Sequence, residues 1–181
     1  MNKWQTIPNY LTLARLFLIA PTAFAIMNQM WLLGSFVFLS AVATDVLDGY
    51  LARKLHQSSA FGGIFDHSTD ALFVSTGLAC FALQDLIVGL LPVLVVLSFI
   101  QYVMDSKALA GQALVASHIG RANGICYFVL LGTTLGLQHA GLTGSPFTPA
   151  VWAISWILCI STIISMIDRA IALWRKPRKA N

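Results

Sequence analysis

Apolar residues along this chain fall into six long runs, separated by short stretches rich in charge, glycine or proline. A helix needs about 20 mostly apolar residues to cross the hydrocarbon core of a bilayer. The pattern therefore predicts six transmembrane helices, with only Gln84 and Asp85 as a tight turn between the third and the fourth. Their approximate ranges are residues 8–27, 31–52, 63–83, 86–105, 120–138 and 149–173.

Composition supports a membrane environment. Of the 181 residues, 57% are hydrophobic and only 10% are charged, whereas soluble domains average about 25% charged residues. A chain this short cannot surround six such helices with protein, so lipid must cover the remaining apolar surface. We therefore expect an all-α integral membrane protein with a single domain over residues 1–181.

The basic residues predict an orientation. All eleven lie in or beside the N-terminal arm, the second-to-third loop, the fourth-to-fifth loop or the C-terminal tail, and the opposite loops (28–30, 84–85 and 139–148) contain none. Lysine and arginine mark the cytoplasmic side of a membrane protein. We expect both termini in the cytoplasm, within a bacterial inner membrane. The net charge of +4 then reflects topology, and no nucleic-acid partner is expected.

Four aspartates are concentrated in the second and third predicted helices. Asp45 and Asp48 are three residues apart, and Asp66 and Asp70 are four apart, so each pair shares a helix face. Asp48 and Asp66 each lie nine residues from Gln57, so an antiparallel hairpin brings the two pairs to the same depth. Carboxylates this close require protons or cations between them. Their hard oxygen ligands suit divalent magnesium, manganese or calcium.

Two other interpretations of these aspartates exist. They could cap helix ends or pair with Arg53 and Lys54, which would account for one or two of them but not for four. A small transporter could use them as a proton or cation relay. A relay would spread its acids across the depth of the membrane, whereas these four cluster at one end.

The aspartates belong to a longer pattern. The chain reads Asp45-Val-Leu-Asp48-Gly49-Tyr-Leu-Ala52-Arg53, then eight residues, then Gly62-Gly-Ile-Phe-Asp66-His-Ser-Thr-Asp70. This resembles the signature of the CDP-alcohol phosphotransferase family, D-x-x-D-G-x-x-A-R followed by G-x-x-x-D-x-x-x-D, and all eight fixed positions are present. A family member that has lost its activity and serves as a partner subunit would be a less direct interpretation.

The resemblance implies a phosphotransferase that moves a phosphatidyl group from a CDP-linked lipid, CDP-diacylglycerol above all, to an alcohol with release of CMP. Two divalent cations, Mg²⁺ or Mn²⁺, would bind Asp45, Asp48, Asp66 and Asp70, and Asp70 would also be the general base. The family precedent further implies a homodimer.

Side-chain chemistry at the other motif positions suits the donor. Gly49 and Gly62 let a nucleotide or its pyrophosphate approach the backbone, and Ala52 leaves room beside it. Arg53 has a fork of donors that matches pyrophosphate oxygens, although alone it would indicate only a cytoplasmic boundary charge.

The N-terminal segment Pro8-Asn9-Tyr-Leu-Thr12-Leu-Ala-Arg15 resembles the opening of phosphatidylglycerophosphate synthases within the family. Asn9, Thr12 and Arg15 share one helical stripe that could face the nucleotide or pyrophosphate. The alternative is an interfacial cap with a snorkelling arginine.

Ser117-His-Ile-Gly120-Arg121 resembles the S-x-x-G-K segment that holds the acceptor's phosphate in several family members, with Arg121 in place of lysine. Otherwise Arg121 is another boundary charge. His67 points about 100° away from Asp66 on a helix, so we expect it to line the acceptor pocket rather than to bind a metal. Arg169 is expected to pair with Asp168 at the membrane boundary.

Glycerol 3-phosphate is the acceptor that best matches the overall resemblance. However, Ala71 stands where phosphatidylglycerophosphate synthases usually have lysine, and Gln101 stands in a region where they usually carry a basic element. Inositol phosphate, inositol, serine, choline or a lipid alcohol therefore stay open as acceptors. Gly120, Gly124, Gly132 and Gly136 form small-xxx-small spacings, which predict close packing within the bundle or at a dimer face.

Overall fold

The computed structural model describes residues 6–55, 59–106, 117–144 and 146–175. Within these ranges, six α-helices follow one another in the order α1 (Ile7–Met27), α2 (Trp31–Lys54), α3 (Ala60–Ala82), α4 (Leu90–Asp105), α5 (His118–His139) and α6 (Phe147–Arg175). The six predicted helices are confirmed, and most of their ends lie within three residues of the expected positions.

The connection between α3 and α4 differs from the prediction. Residues 83–89 join the two helices, so the expected turn of two residues is wrong. Asp85 has a φ of 57°, and its carbonyl accepts a 3.0 Å hydrogen bond from Trp152 Nε1 of α6. Ile87 and Val88 are buried in the hydrophobic core. This irregular segment is apolar because its side chains pack in the core of the bundle, and its sequence therefore resembles the start of a helix.

Hydroxyl side chains begin three helices at one end of the bundle. Thr6, Ser59 and Ser117 are the N-cap residues of α1, α3 and α5, and each side-chain oxygen accepts a hydrogen bond from the backbone N–H three residues on, at 3.4, 2.9 and 3.0 Å. Such caps satisfy donors that a helix start otherwise leaves unpaired. We call this the motif end of the bundle, because α2 also brings its aspartates there.

Helix α3 lies at the centre of the bundle and contacts α1, α4 and α5. The rings of Phe73 of α3 and Phe128 of α5 stack with their centres 6.3 Å apart. The centre of the Phe38 ring of α2 lies 6.4 Å from that of Phe73 and 6.5 Å from that of Phe128. Gly132 of α5 faces this aromatic group, since a Cβ there would lie 2.7 Å from the Phe38 ring. A Cβ at Gly136 would meet no atom within 4 Å. The glycine spacing on α5 is therefore used for helix packing at Gly132 and not at Gly136.

Large apolar side chains cover much of the outer surface, among them Phe36 and Leu32 on α2 and Ile157 on α6. By length and composition, α1, α2 and residues Phe147–Ala172 of α6 can each cross a membrane. Helix α4 is apolar but has only 16 residues. These features are those of an integral membrane protein.

Candidate active site

The four motif aspartates lie together at the motif end, as their spacing predicted. Asp45 and Asp48 come from the last turns of α2, and Asp66 and Asp70 from the first turns of α3. Ligand atoms of Asp45, Asp48 and Asp66 lie within 4.8 Å of one another, and so do those of Asp66, His67 and Asp70. We call the four carboxylates the aspartate cluster.

Arg15 of α1 contacts every member of this cluster. Its Nη1 lies 3.0 Å from Asp45 Oδ1 and 3.0 Å from Asp66 Oδ1, and it also pairs with Asp70. Its Nη2 pairs with Asp48. The Arg15 side chain is 0% exposed, so it does not snorkel to the interface. The predicted stripe on α1 thus faces the site, but Arg15 contacts the aspartates and not the space expected for the nucleotide or pyrophosphate.

Other residues of α1 also touch the cluster and its helices. Thr12 Oγ1 donates a 3.2 Å hydrogen bond to Asp48 Oδ2. The side-chain oxygen of Asn9 lies 3.2 Å from where a Cβ of Gly62 would be. The missing side chain at Gly62 therefore lets the start of α3 approach α1, which is a packing role beside the predicted contact with the donor.

The remaining residues predicted to bind the donor follow Asp48 on α2, within about one and a half turns. A Cβ at Gly49 would meet only Arg53 Nη1, at 3.6 Å, so its surface is open. Ala52 is half-buried and Arg53 is exposed. Lys54 lies over the Tyr50 ring at 5.5 Å. Among the residues that the structure describes, the ion pairs of the aspartate cluster to arginine or lysine all go to Arg15, so pairing with Arg53 or Lys54 is not found.

A cavity of about 530 Å³ adjoins the cluster, between α3, α4, α5 and α6. Asp45 and Asp70 line it, and His67 does so as expected. Arg121, at the start of α5, and Arg169, near the end of α6, also line it. Two aspartates and two arginines are thus among the residues that line the cavity.

Arg169 is the residue of this cavity that sequence analysis missed. Its Nε lies 3.3 Å from Asp105 Oδ2 of α4, and its guanidinium lies 4.7 Å from the centre of the Tyr102 ring. The expected pair with Asp168 is wrong, because neighbours on a helix point about 100° apart and Asp168 is exposed. One signal was available: Thr162 and Ser165 mark a buried polar stripe that leads to Arg169 on an otherwise apolar helix.

Three other predicted positions have defined places. Ala71 lines the cavity. Ser117 caps α5, and its hydroxyl lies 3.4 Å from that of Ser165; it is not among the residues that line the cavity. Gln101 Nε2 donates to the Met166 carbonyl at 2.9 Å. Among the described residues, the positively charged side chains that line this cavity therefore come from α5 and α6.

The residues present fit divalent cations. The aspartate cluster offers carboxylate oxygens from two helices, and hard cations such as Mg²⁺ prefer oxygen ligands. Asp45, Asp66 and Asp70 are 42%, 27% and 20% exposed, so a cation can reach them, and Asp45 and Asp70 also line the cavity. Asp48, which is 4% exposed, is the buried member of the cluster.

Comparison with known proteins agrees with this geometry. The family model of CDP-alcohol phosphatidyltransferase matches residues 5–170. A CDP-diacylglycerol–glycerol-3-phosphate 3-phosphatidyltransferase of Rickettsia felis is 29% identical over 168 residues, which cover 89% of this chain and 91% of that protein.

A protein of the same name from Pseudomonas fluorescens is 42% identical over 78 residues, which cover 41% of this chain and 40% of that protein. A phosphatidylinositol phosphate synthase of Mycolicibacterium smegmatis is 30% identical over 164 residues, covering 83% of this chain and 68% of that protein. With the motif aspartates gathered at one end of six helices and the match extending over most of the chain, this protein belongs to the CDP-alcohol phosphatidyltransferase family.

Proposed function

We propose that this protein transfers the phosphatidyl group of CDP-diacylglycerol to a hydroxyl of glycerol 3-phosphate and releases CMP. The observation that carries the proposal is the position of Asp70, which belongs to the aspartate cluster and also lines a cavity with two arginines. The names of the Rickettsia felis and Pseudomonas fluorescens relatives support the same donor and acceptor.

The aspartate cluster would hold two divalent cations, Mg²⁺ or Mn²⁺, through Asp45, Asp48, Asp66 and Asp70. Bound there, such cations supply positive charge that stabilises a transferring phosphoryl group and a phosphate leaving group. The protein's part would be to hold the four carboxylates of α2 and α3 together, and the hydrogen bond from Thr12 to Asp48 supports this role.

The donor would lie at the cytoplasmic surface of α1–α3. The open backbone at Gly49 and the small side chain of Ala52 leave room for cytidine, and Arg53 offers its donor fork to the pyrophosphate. We place Asn9, Thr12 and Gly62 beside these α2 residues, since Asn9 of α1 and Gly62 of α3 lie close to each other.

Asp70 would act as the general base of the transfer. It takes the proton of the acceptor hydroxyl, whose oxygen then forms a bond to the phosphorus that carries diacylglycerol. The bond from that phosphorus to the oxygen of CMP breaks, and CMP leaves with the electron pair. Proton transfer by a positioned side chain is worth about 10²–10⁴-fold in rate.

The acceptor would occupy the cavity with its phosphate toward Arg121 and Arg169. Guanidinium groups bind phosphate through charge-assisted hydrogen bonds. These two arginines supply the positive charge that Ala71 and Gln101 lack. His67 would line the same pocket, and Ser117 would act through the cap that fixes the start of α5.

We further propose that the protein is a single domain whose six helices all cross a bacterial inner membrane. Both termini and the aspartate cluster would face the cytoplasm, where CDP-linked nucleotides and phosphorylated acceptors are available. The positive-inside distribution of all eleven basic residues supports this orientation. A homodimer is proposed from family precedent.

Purified protein tests the proposal directly. It is incubated with CDP-diacylglycerol, Mg²⁺ or Mn²⁺ and one acceptor at a time, and lipid products are identified by mass spectrometry. The acceptors are glycerol 3-phosphate, inositol 1-phosphate, inositol, serine, choline and phosphatidylglycerol. We expect product with glycerol 3-phosphate. Product with another acceptor alone would correct the acceptor, and no product with any of them would contradict the proposed reaction.

A further inference from the structure

The guanidinium of Arg15 lies at the position that a shared cation would take among the carboxylates. Nη1 has two protons, yet three carboxylates surround it: it donates to Asp66 and Asp70, and its ion pair with Asp45 at 3.0 Å adds a third. Nη2 donates to Asp48. Arg15 thus acts on the cluster as a central positive charge.

This position conflicts with a divalent cation. Mg²⁺ and Mn²⁺ bind carboxylate oxygens at about 2.0–2.2 Å. Nη1 lies only 3.0 Å from both Asp45 Oδ1 and Asp66 Oδ1. A cation bound to these two oxygens would lie a few ångströms from the guanidinium, so the two positive charges would repel each other. Arg15 and a cation therefore compete for the negative charge of the same carboxylates.

The hydrogen bonds of Arg15 are also incomplete. Its Nε is buried and has no hydrogen-bond partner among the residues that the structure describes. A buried donor without a partner costs free energy. The hydrogen bonds that hold the guanidinium in the described residues thus go to the aspartates, which are also the groups that would bind the cations.

From these contacts we propose that Arg15 is a positioning residue that competes with the divalent cations. It keeps the four carboxylates assembled while they hold no cation, and it withdraws from them when cations bind. The inference rests on the metal dependence of the proposed function. It implies that Arg15 stabilises the metal-free protein and lowers the affinity for metal.

Mn²⁺ binding to the full-length protein in detergent tests this competition, with free Mn²⁺ measured by electron paramagnetic resonance. The variants are Arg15→Gln and, as a matched control, Arg121→Gln. Both lose one guanidinium, but the described ion pairs of the aspartate cluster with arginine involve Arg15 alone. Loss of a unit charge this close to the ion should lower the dissociation constant for Mn²⁺ by at least about tenfold in Arg15→Gln. Arg121→Gln should change it by much less.

Thermal unfolding of the same proteins gives the second measurement. In EDTA, Arg15→Gln should unfold at a lower temperature than the wild type, because its four carboxylates repel one another without compensation. Saturating Mn²⁺ should restore more stability to this variant than to the wild type. If Arg15 only held the helices together, its replacement would lower the unfolding temperature equally in EDTA and in saturating Mn²⁺.

Equal or weaker Mn²⁺ binding by Arg15→Gln would overturn the proposal. If that variant does not fold, Arg15→Lys is measured instead. Its single ammonium group cannot reach both sides of the cluster, so the affinity of Arg15→Lys for Mn²⁺ should exceed that of the wild type, by a smaller factor than is expected for Arg15→Gln. An unchanged affinity would overturn the proposal. Absence of Mn²⁺ binding by every variant and by the wild type would instead contradict the metal-dependent function, which is a distinct result.

Discussion

At the scale of single residues, Asp70 is one of two carboxylates, with Asp45, that belong to the aspartate cluster and also line the cavity. Asp70→Asn keeps the shape of the side chain but removes its negative charge. We expect CMP release from CDP-diacylglycerol to fall by about 10²–10⁴-fold, with a folded, membrane-inserted protein. Release of labelled CMP measures the effect.

Asp85→Asn is the matched control for Asp70, since it removes a carboxylate from the α3–α4 connection. Asn tolerates the positive φ of that residue, so its turnover should stay that of the wild type. Undiminished CMP release by Asp70→Asn would refute the role of Asp70.

Arg169 gives a second prediction at this scale. Arg169→Gln should raise the KM for glycerol 3-phosphate by roughly 10–100-fold, since a hydrogen bond to a charged group is worth about 1.5–3 kcal/mol. The KM for CDP-diacylglycerol should change little, and Arg169→Lys should recover part of the loss.

Steady-state kinetics with each substrate varied in turn measure both constants for Arg169. Asp168→Asn removes the exposed neighbouring charge and serves as the control. An equal rise in both KM values in Arg169→Gln would indicate a general distortion of the bundle and would count against an acceptor contact.

What the sequence predicted at this scale depended on distance along the chain. The aspartate pairs could be placed because helix periodicity and one short loop determine their depth. The partner of Arg15 could not, since Asp66 and Asp70 lie 51 and 55 residues away and the pattern of α1 gave only the face. Arg169 was assigned to its neighbour in sequence, whereas its partner Asp105 belongs to another helix.

At the scale of helices, the contact between α5 and α2 depends on Gly132. A Cβ at this position would lie 2.7 and 2.9 Å from two atoms of the Phe38 ring, and Phe38 is held against Phe73 and Phe128. We expect Gly132→Ala to lower the free energy of unfolding by about 1–3 kcal/mol, as overpacking does. Thermal unfolding in detergent micelles measures the change.

Gly136→Ala is the control for Gly132, because it adds the same methyl group to the same helix where no atom lies within 4 Å. Its stability should equal or slightly exceed that of the wild type, since alanine favours helix more than glycine does. If both variants unfold like the wild type, the Phe38 ring moves without cost and the packing role of Gly132 is refuted.

Helices were the most predictable elements, and their connections the least. Long apolar runs determine where helices lie. Residues 86–89 were wrongly assigned to the fourth helix, because Ile87 and Val88 are buried in the core of the bundle without being part of a helix. In so short a segment, the apolar residues of a buried loop cannot be told from those of a helix by their pattern alone.

At the scale of the whole molecule, the orientation can be measured with single cysteines. Thr143 lies in the α5–α6 loop and Leu55 follows α2, and both are exposed. In intact cells, a membrane-impermeant maleimide should label Thr143→Cys and should label Leu55→Cys only after the membrane is opened. Replacing Cys126, the exposed native cysteine, removes background. Labelling of Leu55→Cys in intact cells would contradict a cytoplasmic aspartate cluster.

The division of the site between two parts of the chain has an evolutionary consequence. The aspartate cluster and its arginine come from α1–α3, whereas the basic groups that line the cavity in the described part of the chain come from α5 and α6. In the proposed reaction, substitutions in the later helices would alter which alcohol enters without disturbing the groups that break the bond to CMP. Relatives with different acceptors can diverge in the second half of the chain while inheriting the first, and a chimera that joins the two at the α3–α4 connection would keep one enzyme's chemistry with another's choice of alcohol.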